Sequence, residues 1–436
     1  MFYHSKRVVQ AGFRSFSPVT QSVNQLSSTG CELAPFASGN YPVRVTTTPK
    51  ASFPYLPLAA MGFAAFVYVT FEMFAVGLIT PMSQDLGVSE GQVGLLMTVY
   101  ASIVAVVTIP LMEVTRRLDR KPVFMATLVF LLGGIALQAT AGSYWVLALG
   151  RICAALTHGL FWSLVNPMAA RLAPAGATGK AVAVVSMGST MALVAGSPLT
   201  TLIGGALGWR TATWVLGIMV AVAFTLLFFF LPSMPAIPPK DQKDGKQQRS
   251  ALPALVLYLA LVITALFCTY TYLGLFVQRT TGEQFVAIGL AAYGLFGIVG
   301  VVSAGRRADR RMIRMNVIGT GLIVMAGLTG ALALAVTSGS YALGFVLAVL
   351  VVAFLGLAGG GLPTVATTIF LFAGSDNQNR ASSIYVVTFQ VGIASGSAIG
   401  ALPVDAGFLA GTLLITAVLG VLASVELSLR ARPLLR

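Results

Sequence analysis

Charge is scarce in this chain: Asp, Glu, Lys and Arg together make up 9% of its 436 residues. Histidine occurs only at His4 and His158, and cysteine only at Cys31, Cys153 and Cys268. The cysteines have no metal-ligand spacing and imply no disulfide framework; two of them sit in apolar stretches and read as small buried hydrophobes. An integral-membrane enzyme would need a cluster of His, Asp, Ser or Cys near one interface, which two histidines hardly supply. An ATP-driven pump would need a G-x-x-x-x-G-K-[ST] loop, and the chain has none. A non-transporting sensor would usually add a folded soluble domain, and no stretch reads as one.

What is there is hydrophobic. Length alone would allow two to four soluble domains, but 57% hydrophobic residues and a mean hydropathy of +0.87 overrule that. Many apolar runs reach the ~20 residues that span a bilayer as a helix at ~1.5 Å rise. Uninterrupted runs of this length suit helices, not the alternating pattern of a barrel. The formal charge of +14 would suit a nucleic-acid binder if it were clustered on a soluble face. Instead, 24 of the 27 Lys and Arg lie in the even-numbered loops and the two tails, with only Arg210 and Arg279 in odd-numbered loops and Arg151 inside a span. That asymmetry places both termini and the central loop in the cytoplasm and lets the basic loops meet anionic lipid head groups. No nucleic acid is expected as a partner.

Residues 1–52 are polar, basic and rich in Ser and Thr, with Glu32 as the one acid. They read as a disordered cytoplasmic tail or, in part, as an organellar transit peptide. Spans follow near Tyr55–Ile79, Val93–Met112, Pro122–Ala139, Tyr144–Leu164 (extended to Arg171), Gly179–Leu202 and Thr213–Leu231. Residues 232–250 then break the pattern with four prolines and a mixed-charge run, as a linker does. Six more spans lie near 252–277, 285–304, 313–336, 341–371, 381–400 and 406–429, before a short tail at 430–436. The expectation is an all-α integral membrane protein of twelve helices in two six-helix halves, 53–231 and 251–429.

Two internal echoes mark the halves as copies. Arg116-Arg117-Leu118-Asp119-Arg120-Lys121 after span 2 recurs as Arg306-Arg307-Ala308-Asp309-Arg310-Arg311 after span 8. Span 5 carries Gly188, Ala192, Gly196, Thr200 and Gly204 at four-residue spacing, and span 11 carries Gly392, Gly396 and Gly400. Small residues at that spacing form a ridge that admits a neighbouring backbone. It suits either an adjustable interface between rocking halves or a static packing face. Parallel duplication is itself a recurring plan of secondary transporters.

Several segments carry a family resemblance: Phe71-Glu72-Met73-Phe74, Arg151 through His158-Gly159-Leu160-Phe161-Trp162-Ser163, Ala169-Ala170-Arg171-Leu172, Gly196-Ser197-Pro198, Gly208-Trp209-Arg210 and Tyr270-Thr271-Tyr272. Over about Phe63 to Leu429 the chain resembles the major facilitator superfamily, in its twelve-helix drug:proton antiporter branch, and within that the arabinose- or sugar-efflux-like permeases. The first basic run resembles that family's G-x-x-x-D-R-x-G-R-[KR] loop, with Met112, Arg116 and Asp119 where Gly, Asp and Gly are usual. The resemblance implies a gating latch there, and the departure leaves Asp119 to pair locally with Arg116. Gly188, Gly196 and Pro198 fit the antiporter motif G-x8-G-x3-G-P, with Ser197 in place of a glycine; the resemblance associates that motif with export. Proline there removes one backbone hydrogen bond and bends the helix.

Three ionisable groups lie deep in apolar spans: Glu72, Arg151 and His158. Burying charge in a membrane is expensive, so each is a functional candidate by default. Glu72 lies about seven residues before the outer end of span 1, and Arg151 about seven after the outer start of span 4, ~10 Å deep in both cases. The two are therefore expected to face each other as the proton-coupling pair, and the resemblance agrees, since related exporters carry an acid in span 1 and an arginine in span 4. The alternative is a static ion pair that fixes packing. His158, one helical face below Arg151, joins Phe161, Trp162, Asn166, Tyr270, Tyr272 and Gln390 as candidate lining of a central cavity for a neutral or weakly polar molecule. The expected activity is proton-coupled export of a small organic molecule by alternating access, from a plasma or bacterial inner membrane. The proton gradient supplies the energy, no cofactor is needed, and the protein acts as a monomer. A proton-independent facilitator and a membrane enzyme are the alternatives, and a sugar, a nucleoside, an amphenicol-like antibiotic and a broad drug set all stay open as cargo.

Overall fold

Apolar runs in lipid must pair their backbone groups internally, and each does so here by closing into helix. The computed structural model describes residues 53–174, 177–236, 252–306, 308–337, 339–373 and 378–431, and among these no strand occurs. Among the described residues twelve helices are long and apolar enough to cross a membrane, as the hydropathy pattern predicts. The N-terminal tail, most of the linker and the C-terminal tail fall outside the described residues.

Span 1 is made of α1 (Tyr55–Glu72), one 3₁₀ turn (Phe74–Gly77) and α2 (Ile79–Leu86). Spans 2 to 4 are α3 (Glu90–Thr115), α4 (Arg120–Ala139) and α5 (Tyr144–Leu172). Span 5 joins α6 (Thr178–Met191) to α7 (Ser197–Leu207) through a π turn at Ala192–Gly196, and span 6 is α8 (Trp209–Phe230). Span 7 is split into α9 (Leu252–Tyr270) and α10 (Leu273–Thr281). The remaining spans are α11 (Val286–Gly305), α12 (Ala308–Val336), α13 (Tyr341–Ala373), α14 (Gln378–Asp405) and α15 (Ala410–Glu426). The end of the bundle that bears Leu231 and both basic runs is called the linker side below, and the other end the distal side.

One expectation needs correcting. Spans 1 and 7 are not continuous; each breaks at the same relative place, at Met73 and at Thr271–Tyr272. At Pro198 the helix carries a π turn just before the proline, over Ala192–Gly196, which takes up the hydrogen bond a proline cannot donate.

Each half has its own core. Leu58, Tyr68, Phe124 and Phe161 anchor the first, and Tyr258, Leu259, Leu355 and Phe370 the second. The cores trade a strip at the boundary: Met73, Val76, Met97 and Ala101 of the first half pack into the second core, while Tyr272, Leu275, Ala401 and Val404 pack into the first. Between the halves α3 lies along α14, and the distal part of span 5 lies along α11.

The small-residue ridges do not form that boundary. A Cβ at Gly188 would strike the Gly62 carbonyl of α1, and one at Gly196 would strike Thr70 of the same helix. In the second half Gly392, Gly396 and Gly400 likewise face Ile263, Thr264 and Cys268 of α9. Both ridges therefore hold span 5 or 11 to the first span of its own half. The glycines that admit the opposite half are others: Gly294 against Leu193 and Val194, Gly94 against Tyr272, and Gly274 against the Val76 carbonyl.

Each end of the first half is stapled by arginines. On the distal side Arg210 donates from Nη1 to Asp85 (2.5 Å) and from Nε to the Ala141 carbonyl (3.1 Å), joining three loops. On the linker side the first basic run ties to the root of the linker: Arg120 N–H to Met234 O (2.8 Å), Lys121 Nζ to Phe228 O (2.8 Å), and Ala236 N–H to Asp119 Oδ1 (3.3 Å). Arg116 pairs with Glu113, one turn back at 2.8 Å, not with Asp119, whose carboxylate is occupied by the linker. Arg117 stands in the turn between α3 and α4. In the second run Arg306 and Arg311 are exposed, and Arg311 leaves helical geometry (φ −141°, ψ 36°). Arg307, with the side chains of Asp309 and Arg310, lies outside the described residues.

Gly188→Ala is expected to lower the stability of the purified protein by about 1–3 kcal/mol through overpacking against α1. Gly205→Ala, where a Cβ meets open space, serves as the control; equal thermal melts for the two variants would contradict the close approach.

Candidate functional site

The break in span 1 creates the site. A helix end leaves carbonyls without donors, and lipid offers none. Arg151 of α5 fills that role: its Nη1 donates to Phe71 O at 2.6 Å and lies 3.4 Å from Glu72 O. A cation at a helix C-terminus also meets the negative end of the macrodipole, and the guanidinium stacks 4.6 Å from the Phe71 ring centroid. By taking the carbonyl that the next turn would have used, Arg151 helps end α1 at Glu72.

Arg151, Glu72 and His158 are buried at 1%, 6% and 2% exposure, so the three deep ionisable groups do gather in one place. The pairing differs from expectation. No guanidinium nitrogen comes within ion-pair distance of the Glu72 carboxylate, because the Arg151 fork is committed to main chain; its Nε and Nη2 stay buried without a protein partner. The group that approaches the carboxylate is His158, with Nε2 3.9 Å from Glu72 Oε2. On the other ring nitrogen, His158 Nδ1 is 2.7 Å from the Tyr100 hydroxyl of α3. If the hydroxyl donates, as a neutral imidazole allows, the ring proton sits on Nε2 and points to Glu72.

The second half also reaches this carboxylate. Gln390 of α14 comes near it from the second half without a hydrogen bond between them, and the Gln390 carbonyl oxygen is left buried and unpaired. Tyr270, the last residue of α9 and the counterpart of Glu72 at the second break, packs tilted against Tyr293 at 4.7 Å between centroids. The Glu72 carboxylate is thus addressed by both halves at once.

The other predicted residues divide. Trp162 is half-buried, edge-on to Phe161 and 6.2 Å from His158 between centroids. Asn166, one turn on, is half-buried with its Oδ1 enclosed and unpaired. Phe161 is no lining residue: fully buried, it is stacked between Tyr68 (4.1 Å) and Phe124 (5.2 Å). Tyr272 is likewise closed in, with its hydroxyl on Ser397 O at 3.0 Å. Tyr100 and Tyr293 were missed, since an aromatic in an apolar span looks like any other until its partner is known.

A cleft of about 280 Å³ opens on the distal side between α2, α7 and α10, with Thr80, Thr201 and Gln278 in its wall. It contains none of the three buried ionisable groups and is not the site described here. No group of three or more His, Cys, Asp or Glu fit for a metal ion occurs among the described residues.

The sequence model of the Major Facilitator Superfamily matches residues 61–397. Two chloramphenicol efflux pumps of Mycobacterium tuberculosis are each 32% identical over 368 residues, covering 82% of this chain and 88% of the pump. Among solved structures, the POT family transporter PepTSo superposes with a TM-score of 0.71 at 14% identity, over 88% of this chain and 99% of that one. An inward-facing bacterial homologue of the human lysosomal transporter Spinster gives 0.67 at 15% identity, over 88% and 98%. The nucleoside transporter NupG gives 0.68 at 12% identity, over 86% and 98%. These structures share the fold.

Arg151→Met, which keeps bulk and removes the donors, is expected to destabilise the protein by about 1–3 kcal/mol by orphaning a buried carbonyl. A melt identical to wild type would show that the break at Met73 needs no cap.

Proposed function

The chain belongs to the Major Facilitator Superfamily, and from that premise we propose that it exports a neutral, aromatic drug of the amphenicol type in exchange for protons. The observation that carries this reading is the buried Glu72 carboxylate, approached by His158 of its own half and by Gln390 of the other. With the basic loops cytoplasmic, the linker side faces the cell interior. Cross-half polar contacts at Thr80, Gly91, Thr98 and Arg279 all lie in the distal half of the bundle, while the linker-side part of span 5 touches α11 far less than the distal part does. That is the arrangement of a carrier open to the cytoplasm.

In this state a drug enters from the linker side, past Trp162 and Asn166. Its donor group competes with Gln390 and His158 for the Glu72 oxygens, while aromatic faces at Trp162, Tyr270 and Tyr293 offer stacking. A proton and a drug donor then cannot both hold the same carboxylate oxygens. Mutual exclusion of this kind is what exchange requires: the proton that arrives from outside expels the drug, and its loss to the cytoplasm prepares the site again. His158, with Tyr100 behind it, gives the proton a relay on and off Glu72. The identity of the two mycobacterial pumps supports a drug as cargo over a sugar. The bilayer is then a plasma or bacterial inner membrane.

Glu72→Gln is expected to abolish uphill chloramphenicol transport in everted vesicles, leaving downhill equilibration in place. His158→Asn should slow it about 10- to 100-fold, the scale of a lost proton-transfer group. Uphill transport that survives Glu72→Gln, or that an uncoupler leaves untouched, would remove the proton from the mechanism.

A further inference from the structure

The distal closure includes a first-turn donor of α3 that its own helix cannot satisfy. At the start of α3, Ser89 and Gln92 form a capping box: Ser89 Oγ accepts the Gln92 N–H at 3.0 Å, and Gln92 Oε1 accepts the Ser89 N–H at 2.8 Å. Val93 N–H returns to Ser89 O. Gly91 N–H is left over, and it donates across the boundary to Asp405 Oδ1 of α14 at 2.8 Å.

Asp405 is badly placed on its own helix. It is the last residue of α14, where the field of that helix disfavours an anion. Docked on the N-terminus of α3, the same carboxylate meets the opposite field and a free N–H. The docking requires a glycine: a Cβ at position 91 would lie on top of all three carboxyl atoms of Asp405. The neighbouring contacts are softer. Asp405 is itself exposed but accepts a direct hydrogen bond, whereas Arg279 stands 3.8 Å from Glu90 and largely in solvent, so it adds little; Thr80 bridges Glu90 (2.6 Å) and the Gln278 side-chain oxygen (3.0 Å).

We propose that Asp405 on the Gly91 amide is the latch of the distal gate, a contact made when the bundle opens to the linker side and broken once in every transport cycle. The energetic logic is that of a two-position element. When the halves part distally, Asp405 loses a favourable helix end and returns to an unfavourable one, so the latch biases the resting protein toward the closed distal face. The proposal rests on the halves rocking against each other, not on what drives them. Its failure is therefore separable from a failure at Glu72.

The test is a distance measurement between spin labels in lipid nanodiscs, with the three native cysteines replaced. One pair, Thr140→Cys and Phe408→Cys, spans the two halves at exposed distal positions; the other, Thr140→Cys and Leu207→Cys, lies within the first half. Asp405→Ala and Gly91→Ala should each raise the long-distance population of the cross-half pair about two- to fivefold, the scale of a lost carboxylate–helix-end contact, with the within-half distance unchanged. Should Asp405→Ala fail to reach the membrane, Asp405→Asn keeps the shape, loses the charge and carries the same expectation. Unchanged cross-half distances would overturn the latch. So would a shift with the Asp405 variants but none with Gly91→Ala, or one in which the within-half pair broadens equally.

Discussion

A main-chain carbonyl exposed in a bilayer must be met by a donor from within the protein, and in this protein the consequences of that rule begin at Phe71. Interrupting span 1 costs its terminal carbonyls their partners, and one fork of Arg151 restores them. Everything unusual about the middle of the molecule follows. The arginine is spent on backbone, so the adjacent carboxylate of Glu72 turns to an imidazole and a primary amide instead. The chain beyond the break is free to lean away from α1, which brings Met73 and Val76 into the core of the opposite half. Span 7 does the same in reverse with Tyr272 and Leu275, but no charged side chain stands at its break, where the Thr271 and Ser397 hydroxyls meet at 2.8 Å. The two copies share the interruption but not the arginine, and the ionisable side chains collect on the first.

The duplication, the twelve spans and the three deep ionisable groups were all readable from residue order, because hydropathy and charge asymmetry act locally and need no partner. Depth arithmetic along spans 1 and 4 also brought Glu72 and Arg151 level correctly. What it could not supply was direction within a level: a guanidinium carries five donors, and whether they face a carboxylate or a carbonyl depends on a helix break that hydropathy does not see, since Met73 through Leu78 are as apolar as the residues before them. The glycine ridges show the same limit. Four-residue spacing announces a close approach without naming who approaches, and the neighbours turned out to be α1 and α9 of the same half. Isolated glycines such as Gly91 and Gly294, with no spacing to recommend them, do the work between halves.

The two kinds of contact divide rigidity from motion. Within a half, backbone lies on backbone along whole helices, and arginine staples close both ends of the first six. Between halves, the polar contacts are few and the glycine approaches are points rather than stripes. Two stiff bodies that meet along α3 and α14 and along the distal part of span 5 and α11 can tilt about the level of Glu72 while each core keeps its packing, and the π turn of span 5 sits at that boundary against Gly294 of α11.

The staple at the linker root also bears on how the protein is made. Every residue it uses, from Asp119 and Lys121 to Met234 and Ala236, leaves the ribosome before the first residue of span 7 does. Both ends of the first six helices can therefore be fastened while the second six are still unsynthesised, in keeping with the N-to-C order in which multi-part chains assemble. The faces that meet the second half, the strip around Met73, Val76, Met97 and Ala101 and the distal part of span 5, must wait, briefly bare, for their partners to arrive.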